Sequence, residues 1–170
     1  NSNLTPHEPI YITSDLDFSK YNFSGDGSAS NPFLIQNYNI TNQDGTAIYI
    51  LNTTKYVIIR NCFLKGLCDG ITIIGIAEGT VKIENNFCSG FYDPSKQLKS
   101  VGISVVGTSY VIIRNNTCFD VVSGIELYYS PNAIIEYNNC TLCKRIDYSS
   151  SIPLVTFGEG NGISVWESPN

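Results

Sequence analysis

Apolar and polar residues alternate in short windows that recur along the chain. In Tyr56-Val-Ile-Ile-Arg-Asn61, an extended backbone puts Val57 and Ile59 on one side and Ile58 and Arg60 on the other. Val81-Lys-Ile-Glu-Asn-Asn86, Tyr110-Val-Ile-Ile-Arg-Asn-Asn116 and Ala133-Ile-Ile-Glu-Tyr-Asn-Asn139 repeat the pattern, and Phe33-Leu-Ile-Gln-Asn37 is a weaker copy. A second set of alternations precedes the copies or follows the last one: Ile48-Tyr-Ile50, Ile71-Thr-Ile73, Ile103-Ser-Val105, Ile125-Glu-Leu127 and Ile163-Ser-Val165. A two-residue period predicts strands, and these windows lack the 3.6-residue period of a helix.

The inward isoleucines Ile35, Ile59, Ile83, Ile113 and Ile135 lie 24, 24, 30 and 22 residues apart. A strand-only unit of this length cannot bury its apolar face alone, so the units must stack. The longer intervals predict insertions near residues 91–100 and 144–160. One residue beyond each inward isoleucine stand Gln36, Arg60, Glu84, Arg114 and Glu136. Rungs stacked about 4.8 Å apart turn these into an outward column in which neighbouring charges attract. Cys62, Asn86, Asn116 and Asn138 should form a rung-to-rung amide ladder, and Ile40, Leu64, Cys88, Cys118 and Cys140 an inward stack. Gly70, Gly102, Gly124 and Gly162, with Asp44-Gly45 and Asp69-Gly70, read as tight bends between rungs.

These repeats, with Phe23-Ser-Gly-Asp-Gly-Ser-Ala-Ser-Asn-Pro-Phe-Leu-Ile35 ahead of them, resemble the right-handed parallel β-helix family, in the form of NosD-like and pectate-lyase-like surface proteins. The resemblance implies an all-β, right-handed, single-stranded parallel β-helix of about five rungs. It says little of function, because the repeat serves lyases, hydrolases, epimerases, adhesins and fibres. The expected organisation is an N-terminal arm, strand and cap over 1–22, rungs over 23–143, an insertion loop over 144–161 and the start of a further rung over 162–170. Ser14-Asp-Leu-Asp17 predicts a short capping helix over 15–20.

At 170 residues the chain is one domain. A net charge of −5 argues against nucleic acid, and no apolar run is long enough for a membrane span. The chain begins at Asn1 and contains no Met, as a processed form or excised domain would. Six Asn-X-Ser/Thr sequons, at Asn3, Asn22, Asn39, Asn52, Asn115 and Asn139, point to a glycosylated protein outside the cell or on its surface. In that compartment Cys118 with Cys140, on neighbouring rungs, and Cys62 with Cys68, flanking a turn, are candidate disulfides. Cys140-Thr-Leu-Cys143 lacks a second half-site and His7 is the sole histidine, so neither metal nor cofactor is expected. The copper-centre role linked to NosD is not carried over, because imidazole and thioether ligands are scarce.

The favoured reading is a non-catalytic surface module, either a unit of an assembly or a binder of glycans. Tyr49, Glu126, Tyr128 and Trp166 are the candidate glycan face, where aromatic rings offer an apolar surface with a polar tip. The competing expectation is that the 144–160 segment, with Ile152, Pro153, Leu154, Val155 and Phe157, folds over this face. For assembly, copies would pair through open ends of the coil, with residues 1–12 as a docking arm. The alternative is a polysaccharide lyase or hydrolase acting on the outer face. Hydrolysis needs two converging carboxylates, and the nearest acids are Asp69, Asp120 and Glu126. Elimination needs a base, and Lys82 and Lys144-Arg145 lie elsewhere.

Overall fold

The computed structural model describes residues 4–91, 100–147, 156–159 and 161–168. Three parallel sheets form the walls of one coil. Sheet I stacks Ile10–Ile12, Ile48–Leu51, Asp69–Ile74, Val101–Val106, Ser123–Tyr128 and Asn161–Trp166. Sheet II stacks Phe33–Gln36, Val57–Arg60, Val81–Glu84, Ile112–Arg114 and Ile134–Glu136. Sheet III stacks Thr5–Pro6, Tyr38–Asn42, Phe63–Gly66, Phe87–Gly90, Thr117–Phe119 and Asn139–Thr141. The chain visits sheets I, II and III in turn, so each strand pairs with its counterpart one rung away. Lys144–Asp147 and Thr156–Glu159 pair antiparallel outside this coil.

Registry follows the sequence pattern. Ile35, Ile59, Ile83, Ile113 and Ile135 stand opposite one another in sheet II. The next position aligns Gln36, Arg60, Glu84, Arg114 and Glu136 in one column. There Arg60 Nε donates to Gln36 Oε1 at 2.9 Å, and Arg114 Nη2 contacts Glu84 Oε2 at 2.9 Å. Such half-exposed pairs contribute about 0.2–1 kcal/mol each, so they bias register more than they hold the coil. The core contributes more, at about 1.5–3 kcal/mol for each fully buried aliphatic side chain. Ile48, Ile50, Ile59, Ile71, Ile73, Ile83 and Ile103 are all fully buried.

The corner between sheets II and III uses a left-handed residue, because the chain must bend from one wall to the next within two residues. Asn37, Asn61, Asn85 and Asn115 fill it with φ of 59°, 53°, 57° and 54°, and asparagine adopts this region more readily than other L-residues. The residue after it turns inward. Asn86 Nδ2 donates to Ile59 O and Asn116 Nδ2 to Ile83 O, at 3.0 and 2.9 Å. The oxygens Asn116 Oδ1 and Asn138 Oδ1 accept from the backbone N–H of Asn86 and Asn116. This is the expected amide ladder, and Asn86 and Asn116 are buried in it.

A 3-10 helix, Asp15–Lys20, covers the N-terminal end. Asp17 Oδ2 accepts from the N–H groups of Thr13 and Ser14, and the bonds from Lys20 and Thr13 hold its carboxyl well below the usual range. Phe18, buried at 3% exposure, stacks on Phe33 at 4.4 Å and lids the first rung.

Three expectations are corrected. Residues 4–12 are no free docking arm: Thr5–Pro6 pairs with Tyr38–Asn42 and Ile10–Ile12 with Ile48–Leu51, so the segment builds its own coil. Asp69-Gly70 opens a strand of sheet I rather than forming a turn. Gly70, Gly102 and Gly124 likewise lie inside sheet I strands, and their φ angles are outside the left-handed region. They are glycine because an added Cβ would strike the cysteine column and the next rung's carbonyl oxygen.

Candidate functional site

The outer face of sheet I carries two columns of side chains. Tyr11, Tyr49, Thr72, Ser104, Glu126 and Ser164 align in the first. Leu51, Ile74, Val106, Tyr128 and Trp166 align in the second. Alternation along each strand puts both columns outside while Ile125, Leu127 and their counterparts fill the core.

At the C-terminal end of this face the structure brings together three of the expected residues. Tyr128 and Trp166 stack with ring centroids 6.3 Å apart and planes 6° from parallel. Glu126 lies on the same strand as Tyr128. Partial burial, and then the charge and hydrogen bonding of Glu126, push the Tyr128 phenol above its ordinary value. Trp166 is 54% exposed. Tyr49 is not part of this group. It stands three rungs earlier, about 14 Å away along the axis, and packs against Tyr11 at 6.3 Å. The segment expected to cover the face, Ile152 to Val155, lies outside the described residues, as does the side chain of Phe157.

Of the acids of this face, Asp69 is engaged within the fold. Asp69 Oδ2 accepts from Thr72 Oγ1 at 2.6 Å, and Oδ1 accepts from the Val101 N–H at 3.2 Å. Both oxygens are therefore engaged within the sheet, and the second ties one rung to the next. Burial raises this carboxyl and the nearby Glu126 charge adds to the shift. Asp120 sits beyond the strand Thr117–Phe119, in a left-handed corner with φ 54°. Lys82 projects from sheet II, on another wall. The side chains of Lys144 and Arg145 lie outside the described residues.

Neither expected bridge, Cys118 with Cys140 or Cys62 with Cys68, is formed in this structure. Cys62 and Cys68 do not flank a turn: they bracket the strand Phe63–Gly66, which spans about 13 Å. That exceeds the reach of a disulfide. Cys118 and Cys140 are register partners. The contact with Cys140 favours the Cys118 thiolate, but the Cys88 thiol and burial outweigh it and hold Cys118 far above the ordinary value. Burial pushes Cys62 up to about 11. Protonated thiols of this kind are poor nucleophiles and poor metal ligands. Among the described residues no group of three or more His, Cys, Asp or Glu is placed to hold a metal ion. No helix among them is long and apolar enough to cross a membrane.

Of the sequon asparagines, Asn22, Asn39, Asn52, Asn115 and Asn139 are exposed, and Asn3 lies outside the described residues. One set of residues escaped the sequence reading: the left-handed column Asn37, Asn61, Asn85 and Asn115. Its signal was the dipeptide Asn-Asn, recurring at Asn85-Asn86 and Asn115-Asn116, whose first member needs a role different from the second.

Comparison with protein families finds a match to a family described as the right handed beta helix region, over residues 22–170. Comparison with curated proteins and with solved structures finds no match.

Proposed function

The chain belongs to the right-handed β-helix family, and from that premise we propose that it is a non-catalytic carbohydrate-binding module working outside the cell. The observation that carries this reading is the Tyr128–Trp166 stack beside Glu126. A pyranose ring has an apolar face edged by hydroxyls. An indole braced from one side by a parallel ring is a rigid platform for such a face, and binding costs it little side-chain entropy. The Glu126 carboxylate accepts from sugar hydroxyls. Exposed sequons support the extracellular placement.

Trp166→Ala is expected to weaken sugar binding at this face by about tenfold or more, roughly 1.4 kcal/mol. The unfolding midpoint should hardly move, because the ring is more than half exposed. Calorimetric titration of hits from a glycan array measures the first, and thermal unfolding the second. Unchanged affinity in the variant, or an array without a hit, defeats the reading.

A second reading, self-assembly, has its own observation. Ile163 and Val165 occupy inward positions opposite Ile125 and Leu127, yet are 47% and 53% exposed. The other end is lidded by Phe18 and its 3-10 helix. A second copy seated on this apolar rung would cover it, as a following rung of the same coil would. Under this reading Val165→Glu converts a dimer into a monomer in analytical ultracentrifugation. A wild-type monomer at high concentration rules it out.

A further inference from the structure

A second groove, unrelated to sheet I, runs along the corner between sheets II and III. It is an open trough of about 680 Å³. One wall is the row of left-handed asparagines Asn37, Asn61, Asn85 and Asn115, and the other includes Phe63 and Phe87. We propose that this groove binds a linear, uncharged oligosaccharide lying parallel to the axis of the coil.

The amides are the first argument. The four asparagines are exposed, and among the described residues none donates to or accepts from their side chains. Their neighbours Asn86, Asn116 and Asn138 spend their amides inside the ladder. Each exposed amide offers one acceptor and two donors. The rungs repeat these groups about every 4.8 Å, a spacing close to the length of one pyranose residue in an extended chain. Adjacent hydroxyls on a sugar ring present the complementary donor and acceptor.

Charge selects the class. Every residue lining the groove is uncharged. In the charged column beside it Arg114 is paired with Glu84, and Arg60 Nε donates to the neutral Gln36. No residue lining the groove offers a cation to a uronate or sulfated chain, whereas a neutral chain loses nothing. An extended peptide is the poorer occupant, because it gains affinity by adding to a strand edge. In this corner the neighbouring strands are already paired on both sides.

The aromatic wall completes the site. Phe63 and Phe87 stack at 5.2 Å with planes 5° apart, and Phe119 continues the row at 6.2 Å. They give an apolar bank against which the C–H faces of a sugar chain can lie. Beyond Asn115 the same corner position is Tyr137, with φ 56° and 81% exposure. A bulky residue in the left-handed region is strained, and here its ring stands at the open end of the amide row, where a terminal sugar would stack.

The bland alternative is that asparagine is present only because it tolerates a left-handed corner. Glycine tolerates that corner equally well and carries no amide, so Asn61→Gly with Asn85→Gly separates the two accounts. The probes are neutral linear glucan, mannan and xylan oligosaccharides from two to six residues. The protein must lack N-glycans, since a glycan on Asn115 would project from the same row. Expected results are affinity that rises with chain length, and a loss of about tenfold or more in the double glycine variant. Its unfolding midpoint should match the wild type, and Trp166→Ala should retain binding of the same chain. Should the double variant fold poorly, shifts of the Asn61 and Asn85 side-chain amide resonances in the wild type on titration serve instead. The proposal is overturned if the glycine variant binds as tightly as wild type, if those resonances do not move, or if no neutral chain binds. Binding abolished by Trp166→Ala but not by the glycines would leave the sheet I face standing and remove the groove.

Discussion

Asn116→Ala is expected to lower the free energy of unfolding by about 3–5 kcal/mol, while Asn115→Gly, one residue away, should change it by about 0.5 kcal/mol or less. Asn116 is 1% exposed. Its Nδ2 donates to Ile83 O at 2.9 Å and to Asn138 Oδ1 at 3.0 Å, and its Oδ1 accepts from Asn86 N and Asn86 Nδ2, both at 3.0 Å. Truncation leaves these buried groups without their partners. A buried group left unpaired costs about 1–3 kcal/mol, far more than a satisfied bond contributes. Asn115 instead points to solvent, and glycine keeps its corner conformation. The pair of variants therefore assigns opposite weights to two identical adjacent residues. Urea unfolding of both measures it. Equal losses would mean that the ladder does not bear on stability.

Much of this architecture was legible because a parallel coil copies its registry from rung to rung. Once Ile59, Ile83 and Ile113 were aligned, Arg60, Glu84 and Arg114 had to fall in one column, and they do. The Asn86–Asn116–Asn138 ladder and the Cys88–Cys118–Cys140 stack follow from the same arithmetic. Distances set by the path between sheets were not legible. Cys62 and Cys68 looked like the two sides of a turn because Leu64 alone marked an inward position in Phe63-Leu-Lys-Gly66, too little to fix the length of that strand of sheet III. The N-terminal segment looked free because Thr5-Pro6 has almost no apolar pattern, although the backbone alone pairs it to Tyr38–Asn42.

For the candidate face, periodicity placed Glu126, Tyr128 and Trp166 outward but could not say which would touch. Tyr49 has the same outward phase, yet its rung number puts it with Tyr11 instead. The asparagine row was hidden for a different reason. Exposed and buried asparagines alternate within one dipeptide, and only the backbone angles separate them. A solenoid thus reveals its columns early, while the chemistry of its corners waits for coordinates.

Gly102→Ala is expected to cost about 2–4 kcal/mol, whereas Gly107→Ala should cost about 1 kcal/mol. A turn-based ranking of glycines would give the reverse order. Gly107 has φ of 60°, in the left-handed region, but an added Cβ meets nothing within 4 Å. Gly102 has an ordinary φ and no room: its Cβ would lie 2.5 Å from both Cys118 Sγ and Gly124 O. The carbonyl belongs to the backbone of the next rung, which the ladder to Ser123–Tyr128 holds in place. Relief therefore requires the rungs to part, and parting them breaks hydrogen bonds on both sides. The sulfur is the softer of the two obstacles. A double-mutant cycle with Cys118→Ala should show a favourable coupling of about 1 kcal/mol with incomplete rescue, because Gly124 O remains. Full rescue would place the whole conflict at the thiol. A Gly102→Ala variant as stable as wild type would mean that the close approach of these two strands is not what selects glycine there.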